Sequence, residues 1–254
     1  MRRIVFVDLD DTLFQTHRKN PDANRLAAVD GDGNPLSFRC GRQEAFFEWL
    51  IKDATVVPVT GRSVEAFRRV TIPLSGHAIC SFGGIILRPG GETDREWHRV
   101  ITGASMATAD LMEGLNTVVG SIAAGHAVHA RHRIIREAGL PLYVSVKHNA
   151  GVAEEMCRLA TAVSPSVPDD WTIHLNGSNM ALLPPFLGKA AAVAHLLKHF
   201  VADGSVLTLG VGDSLTDVAF MGLCDFAVAP SKSQIMSVLS SQTPLGAVAG
   251  GGKR

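Results

Sequence analysis

Three carboxylates, Asp8, Asp10 and Asp11, follow directly on a short apolar, β-branched run at residues 4–7. Carboxylates this close repel one another, and each needs a cation, a proton or hydrogen bonds to be stable. Further along, Thr60, Gly61 and Arg62 end a second apolar run, Lys189 heads an apolar helical pattern, and Asp213, Ser214 and Asp217 follow a third run. A carboxylate can attack phosphorus and carry the phosphoryl group as an aspartyl phosphate. Phosphoryl transfer asks a protein chiefly to position groups and neutralise charge. Magnesium favours carboxylate and carbonyl oxygens, keeps several waters and touches substrate phosphate; Asp8 and Asp213 are residues of the type that supplies such ligands. A lysine ammonium such as that of Lys189 is a compact partner for phosphoryl oxygens. The hydroxyl and amides at Thr60-Gly61 can hold another. Asp-x-Asp alone is also what a strand followed by a polar turn looks like, so the chemical reading rests on the whole set.

These groups converge only if the apolar runs are parallel strands of one sheet whose carboxyl ends meet. Residues 4–7, 54–59, 77–81, 206–209 and 225–229 have the length and composition of buried strands. Residues 42–52, 189–200, 216–222 and 233–239 read as helices, the first with Phe46, Phe47, Leu50 and Ile51 on its apolar face. Ser63 is placed to cap another helix. Residues 14–40 are polar and turn-rich, and 26–29 with 36–38 predict a hairpin overhanging the end of the first strand. A further hairpin is expected from 85–87 and 96–98 around Pro89-Gly90-Gly91. Beyond it the rhythm changes to α-β-β-α-β-β: helix 104–124, strands 129–137 and 142–147, helix 152–163, strands 171–175 and 180–183. The prediction is an α/β fold, with a Rossmann-like parallel-sheet core at 1–84 and 185–254 and an inserted α+β (αββαββ) cap at 85–184 that selects substrate. The glycine-rich tail, 246–254, is expected to fray.

Asp8-Leu9-Asp10-Asp11-Thr12-Leu13, Val59-Thr60-Gly61-Arg62, Gly188-Lys189 and Gly212-Asp213-Ser214-Leu215-Thr216-Asp217, in this order, resemble the four motifs of the haloacid dehalogenase superfamily. The resemblance implies that Asp8 is the nucleophile and Asp10 the general acid/base. It implies phosphoryl binding by Thr60, Gly61 and Lys189. It further implies magnesium on Asp8, the Asp10 carbonyl and Asp213, with Ser214 and Asp217 in support of the metal or of Lys189. Asp10 favours a phosphatase or phosphomutase, because dehalogenases of this pattern lack that acid. The cap position between the threonine and lysine motifs is similar to that of Cof-type sugar phosphatases, including those for sucrose-phosphate, and of phosphomannomutases. The 14–40 segment is longer than in most such relatives, and Ser81-Phe82-Gly83-Gly84 stands where many carry Asn-Gly. The implied substrate is a sugar phosphate or similar small phosphorylated metabolite. A phosphosugar mutase and a non-catalytic binding protein are the alternatives.

Other features weigh less. His126, His129 and His132 with Arg131, Arg133 and Arg136 are open to three readings: a solvated strand edge, a substrate-facing surface, or a zinc site that the spacing suits poorly. Lys147 belongs with them, Asn176 and Asn179 are turn residues that can also reach substrate, and Arg62 can pair with an acid or touch substrate. Asp30 and Asp32 lack the glutamate a calcium loop needs. Trp49, Trp97 and Trp171 are expected to pack inside. The 254 residues hold 24 basic and 24 acidic side chains, which argues against a nucleic-acid partner. The apolar segment 180–197 is broken by Pro184, Pro185 and Lys189, so no membrane span is expected, and Asp8 cuts the first apolar run too short for a signal peptide. Cys40, Cys80, Cys157 and Cys224 lack paired spacing and read as reduced thiols of a cytoplasmic protein, monomer or homodimer.

Overall fold

The computed structural model describes residues 1–201 and 205–242; the tail expected to fray lies outside the described residues. β1 (Arg2–Val7) is a central strand of a parallel sheet, and its alternating side chains divide between two apolar clusters. Ile4 and Phe6 enter one cluster, Val5 and Val7 the other, so both faces are covered. The chain then makes β2 (Gln15–Thr16), β3 (Arg25–Val29) and β4 (Pro35–Arg39), a small antiparallel sheet in the order β2-β4-β3. The hairpin expected from residues 26–38 is its main part. It lies against the segment after the threonine motif, where Ala27 accepts from the Thr71 amide at 2.8 Å.

α1 (Gly41–Asp53) covers the sheet with Phe47 and Leu50. Ile51 and Trp49, both expected inside, are instead 40% and 64% exposed. Three adjacent positions of a helix cannot all face one sheet, and Phe47 and Leu50 take the inward stripe. β5 (Thr55–Pro58) pairs with β1, and α2 (Val64–Phe67) begins at Ser63, whose hydroxyl accepts from the Ala66 amide. β6 (Ala78–Cys80) pairs with β7 (Ile85–Leu87) across a tight turn in which Ser81, Phe82 and Gly83 all have positive φ.

The hairpin expected between 85–87 and 96–98 does not form. Asp94 accepts from the amides of Glu96 and Trp97 and opens α3 (Arg95–Ala107), whose Trp97, Ile101 and Ser105 are buried at helical spacing. The single helix expected at 104–124 is therefore two, broken at Thr108, the second being α4 (Ala109–Gly125). β8 (Ala130–Glu137), β9 (Leu140–His148), α5 (Ala153–Val163), β10 (Thr172–Asn176) and β11 (Asn179–Leu183) follow as expected. The strands form an antiparallel sheet ordered β10-β11-β9-β8. On its helix side Val144, Val146, Met180 and Leu182 pack with residues of α4 and α5. On its other side Ile135, Tyr143, Ala181 and Leu183 belong to the same apolar cluster as Ile4 and Phe6 of β1.

The chain returns through α6 (Lys189–Val201), β12 (Val206–Val211), α7 (Leu215–Met221), β13 (Phe226–Val228) and α8 (Gln234–Gln242). The parallel sheet is ordered β13-β12-β1-β5, so the strand order reverses at β1. Open α/β sheets bind ligands at such a reversal, outside the carboxyl ends.

Candidate active site

Asp8 stands immediately beyond β1, at that reversal, and is 5% exposed. Its Oδ1 accepts from Lys189 Nζ at 2.6 Å. The same ammonium donates to Asp217 Oδ1, also at 2.6 Å. Burial disfavours the Lys189 ammonium, but Asp8 and Asp217 outweigh it and hold the pKa above the usual lysine range. Burial pushes the Asp8 carboxyl well up in spite of Lys189, and the Asp217 charge adds to the rise. Lys189 reaches this place because it begins α6, against the turn of Ser81–Gly83. Gly83 has φ +95°, and a Cβ there would run into the Gly188 carbonyl.

Asp217 is fully buried and fully used. Its second oxygen accepts from the amides of Asp213 and Ser214 at 3.2 and 3.0 Å and from the Ser214 hydroxyl at 2.7 Å, a capping box at the head of α7. Asp213 follows β12; burial first, then Asp217 and Asp11, push its carboxyl up to about 6. Thr12, to which the first motif alone assigns no role, lies between the acids, 3.4 Å from Asp8 Oδ2 and 3.3 Å from Asp213 Oδ1. Its place four residues after Asp8 was the signal available. Carboxylate oxygens of Asp8, Asp213 and Asp217 all lie within 4.8 Å of one another. An all-oxygen cluster suits a hard divalent cation, and with both Asp217 oxygens engaged, Asp8 and Asp213 are its carboxylates left to meet one.

Thr60 is buried, and its hydroxyl accepts from the Arg62 amide at 3.1 Å. The Gly61 carbonyl accepts from the Tyr143 hydroxyl at 3.3 Å, and a Cβ on Gly61 would sit 2.5 Å from the Phe82 ring. Arg62, left open between an acid and substrate, holds Asp10 through two bonds of 2.7 Å. It also lies 5.0 Å from the Phe14 ring centre and near Ser37 of β4.

The remaining candidates divide by strand register. Asn176 pairs with Asn179, Asn179 with Lys147, and Lys147 with Arg131, so four of them form one row across the β10-β11-β9-β8 sheet. Arg133 stands in the next row, opposite Ser145. These positions share the face of Tyr143, toward the parallel sheet. Burial and then the charges of Arg131, Arg133 and Arg62 lower the Lys147 pKa, while Asp10 acts the other way. The basic patch is thus split. His132 points to the opposite side and bonds Asn116 of α4 at 2.9 Å, and Arg136 pairs with Glu113. Among the described residues, His126, His129 and His132 do not gather as metal ligands. Asn176 also reaches back, accepting from Lys19 at 3.0 Å and donating to Asp11 at 3.4 Å. A cleft of about 520 Å³ opens here, lined by Asp11, Lys19, His174, Asn176 and Asp213 among others.

No family model matches the chain, and no curated protein matches its sequence. Solved structures do match. The C-terminal domain of C. albicans trehalose-6-phosphate phosphatase aligns over 87% of this chain and 73% of its own, with a TM-score of 0.59 at 13% identity. The sucrose-phosphatase of Synechocystis, solved with sucrose and phosphate, aligns over 95% and 88%, with a TM-score of 0.51 at 16% identity. This chain has the haloacid dehalogenase fold. A Thermoplasma acidophilum protein aligns over 94% and 89% at 15% identity, with a TM-score of 0.54. Likeness at these identities is likeness of fold. What the haloacid dehalogenase fold contributes is the convergence of Asp8, Thr60, Lys189 and Asp213 from separate segments on one sheet edge.

Proposed function

We propose that the protein is a magnesium-dependent phosphatase that hydrolyses a phosphate monoester of a small polar metabolite, such as a sugar phosphate. The observation that carries this reading is the Lys189 ammonium held 2.6 Å from both Asp8 and Asp217, beside Asp213, at the reversal of the sheet. A buried ammonium between carboxylates suits binding of a phosphoryl group against one of them. Asp8 Oδ attacks phosphorus; the P–O bond to the leaving alkoxide breaks as Asp10 gives that oxygen a proton. Asp10 then takes a proton from water, which attacks phosphorus, releases phosphate and restores the Asp8 carboxylate. Thr60, the Gly61 amide and Lys189 hold the phosphoryl oxygens. Asp10 must exchange its Arg62 bonds for the substrate oxygen, which frees a guanidinium for the substrate.

With both Asp217 oxygens engaged, Asp8, Asp213 and the Asp10 carbonyl are left to hold Mg2+, with Asp217 and Ser214 fixing Asp213 in place. When bound, the ion neutralises charge on the phosphoryl oxygens. Residues 85–184 serve as the cap. Arg131, Arg133, Lys147, Asn176 and Asn179 present the surface that reads the rest of the substrate, and their crowded cations favour a second anionic group or several hydroxyls there. The unpaired thiols of Cys40, Cys80, Cys157 and Cys224 suit a cytoplasmic protein. Among the described residues, no helix is long and apolar enough to cross a membrane.

Phosphate release from a panel of phosphorylated metabolites, with Mg2+, with chelator and with Asp8→Asn, tests the proposal. Release of free phosphate that both controls abolish is the expected result. An isomeric phosphate as product would replace hydrolysis by a mutase. No release from the panel or from an aryl phosphate would overturn the enzyme reading.

A further inference from the structure

On another face of α6 from Lys189, two histidines stand one turn apart, His195 and His199, beside the first turn of α3. Ligand atoms of His195, His199 and Glu96 all lie within 4.8 Å of one another. His199 Nε2 is 3.6 Å from Glu96 Oε2, close to the edge of about 3.3 Å that a tetrahedral site with bonds of about 2.0–2.1 Å requires. The two imidazole ring centres are 4.8 Å apart, with the ring planes inclined at 69°. The decisive observation is at His195. Its side chain is 10% exposed, yet its Nε2 is buried with no hydrogen-bond partner among the described residues. Asp94 Oδ1 is the nearest carboxylate oxygen in a pair with it, at 3.8 Å, too far to bond, and is committed to capping α3. A native protein rarely leaves a buried ring nitrogen unpaired unless an ion or a water meets it.

We propose that His195, His199 and Glu96 form a second cation site, for Zn2+ or a similar borderline transition-metal ion, that clips α6 to the start of α3. Two imidazoles and a carboxylate make a donor set that favours such ions over magnesium, the reverse of the all-oxygen cluster at Asp8. The His195 pKa is lowered, chiefly by burial, so the ring is neutral and its lone pair available near neutral pH. Glu96 and His199 are 60% and 52% exposed, free to close the last ångström, whereas His195 is fixed by the Trp97 ring at 5.2 Å. α3 is the first helix after β7, so the clip sets the angle at which the chain leaves the parallel-sheet layer.

The experiment uses the full, untagged chain, stripped with chelator and held in millimolar Mg2+ to fill oxygen sites. Zn2+ is titrated calorimetrically, and Co2+ by its visible spectrum, in wild type, His199→Gln, Glu96→Gln and Asp213→Asn. One ion per chain is expected, with the strong visible bands of tetrahedral Co2+, retained in Asp213→Asn and weakened about tenfold or more in His199→Gln and Glu96→Gln. Both of the latter positions are exposed, so the variants keep their fold and Mg2+-dependent activity, which circular dichroism and phosphate release confirm. Affinity unchanged in His199→Gln, or binding lost in Asp213→Asn alone, would overturn the proposal. Because the readout is binding, a failure of the phosphatase reading leaves this result standing.

Discussion

Lys189 and Asp8 carry opposite consequences for stability although they form one ion pair. The ammonium has buried carboxylates on two sides, so Lys189→Met leaves two buried acids facing each other. Breaking a buried pair from one side costs about 3–5 kcal/mol. The variant is expected to lose that much by denaturant unfolding, together with all turnover. Asp8 is the other case. Its carboxyl is pushed up by burial and by Asp217, so the charged form is disfavoured in the fold, and Asn keeps the shape without the charge. Asp8→Asn should therefore abolish phosphate release while its melting temperature at pH 7 stays at or above that of wild type. A drop of several degrees would show that Asp8 is held for stability. These residues were legible in the sequence because each lies in a short local motif whose residue types already state the chemistry. Thr12 sits in the first of those motifs, yet its contact with Asp213 spans 201 positions, and only the sheet brings the two together.

The element that ties the site to its surroundings is the turn at Ser81–Gly83, where Ser81 and Phe82 both adopt positive φ without being glycine. Glu137, at the end of β8, holds that turn: it accepts from the Ser81 hydroxyl and from the Val64 amide at 2.6 Å. Burial, with Glu65 nearby, raises the Glu137 pKa. An acid whose folded pKa is raised contributes stability that is present below its unfolded pKa and lost as pH rises through the folded value. Gln reproduces the neutral form, accepting from Val64 and donating to the Ser81 oxygen. Glu137→Gln and wild type should match near pH 4, and the variant should become the more stable as pH rises, by up to about 1.4 kcal/mol per pH unit within the window. Parallel denaturation curves across that range would remove the buried-acid account. Gly61→Ala places a methyl into the Phe82 ring and should cost about 1–3 kcal/mol with loss of activity. Most elements were legible because apolar runs and their breaks are local. The strand expected at 96–98 failed because Pro89-Gly90-Gly91 is a strong turn signal, while the Asp94 cap and the spacing of Trp97, Ile101 and Ser105 point to the helix that forms.

At the scale of the molecule, the two sheets meet differently at their two ends. Around Tyr143, Leu142 and Leu187 they share one apolar cluster with β1. Toward the cleft they meet through polar side chains of the segment after Asp11: Arg18 donates to the Gly151 carbonyl at 2.6 Å, and Lys19 pairs with Asp11 and with Asn176. These contacts join residues 133 and 157 positions apart, which no local pattern announces, and the long segment at 14–40 read only as an overhanging hairpin. If residues 85–184 open and close as the proposed cap, the apolar end is the pivot and the polar end the latch. Lys19 is 36% exposed, and an ion pair at such a site is worth about 0.2–1 kcal/mol. Lys19→Ala should therefore shift the open-to-closed ratio by about 1.4-fold to fivefold, and no more. The expected result is a KM raised within that range, an unchanged or higher kcat, and faster hydrogen exchange at residues 149–151 and 176–178 with the parallel sheet unaffected. Leu142→Ala, at the pivot, removes fully buried apolar contact and should cost about 2–5 kcal/mol of global stability instead. If Lys19→Ala melts the whole protein, or Leu142→Ala loosens only the cleft, pivot and latch are assigned the wrong way round.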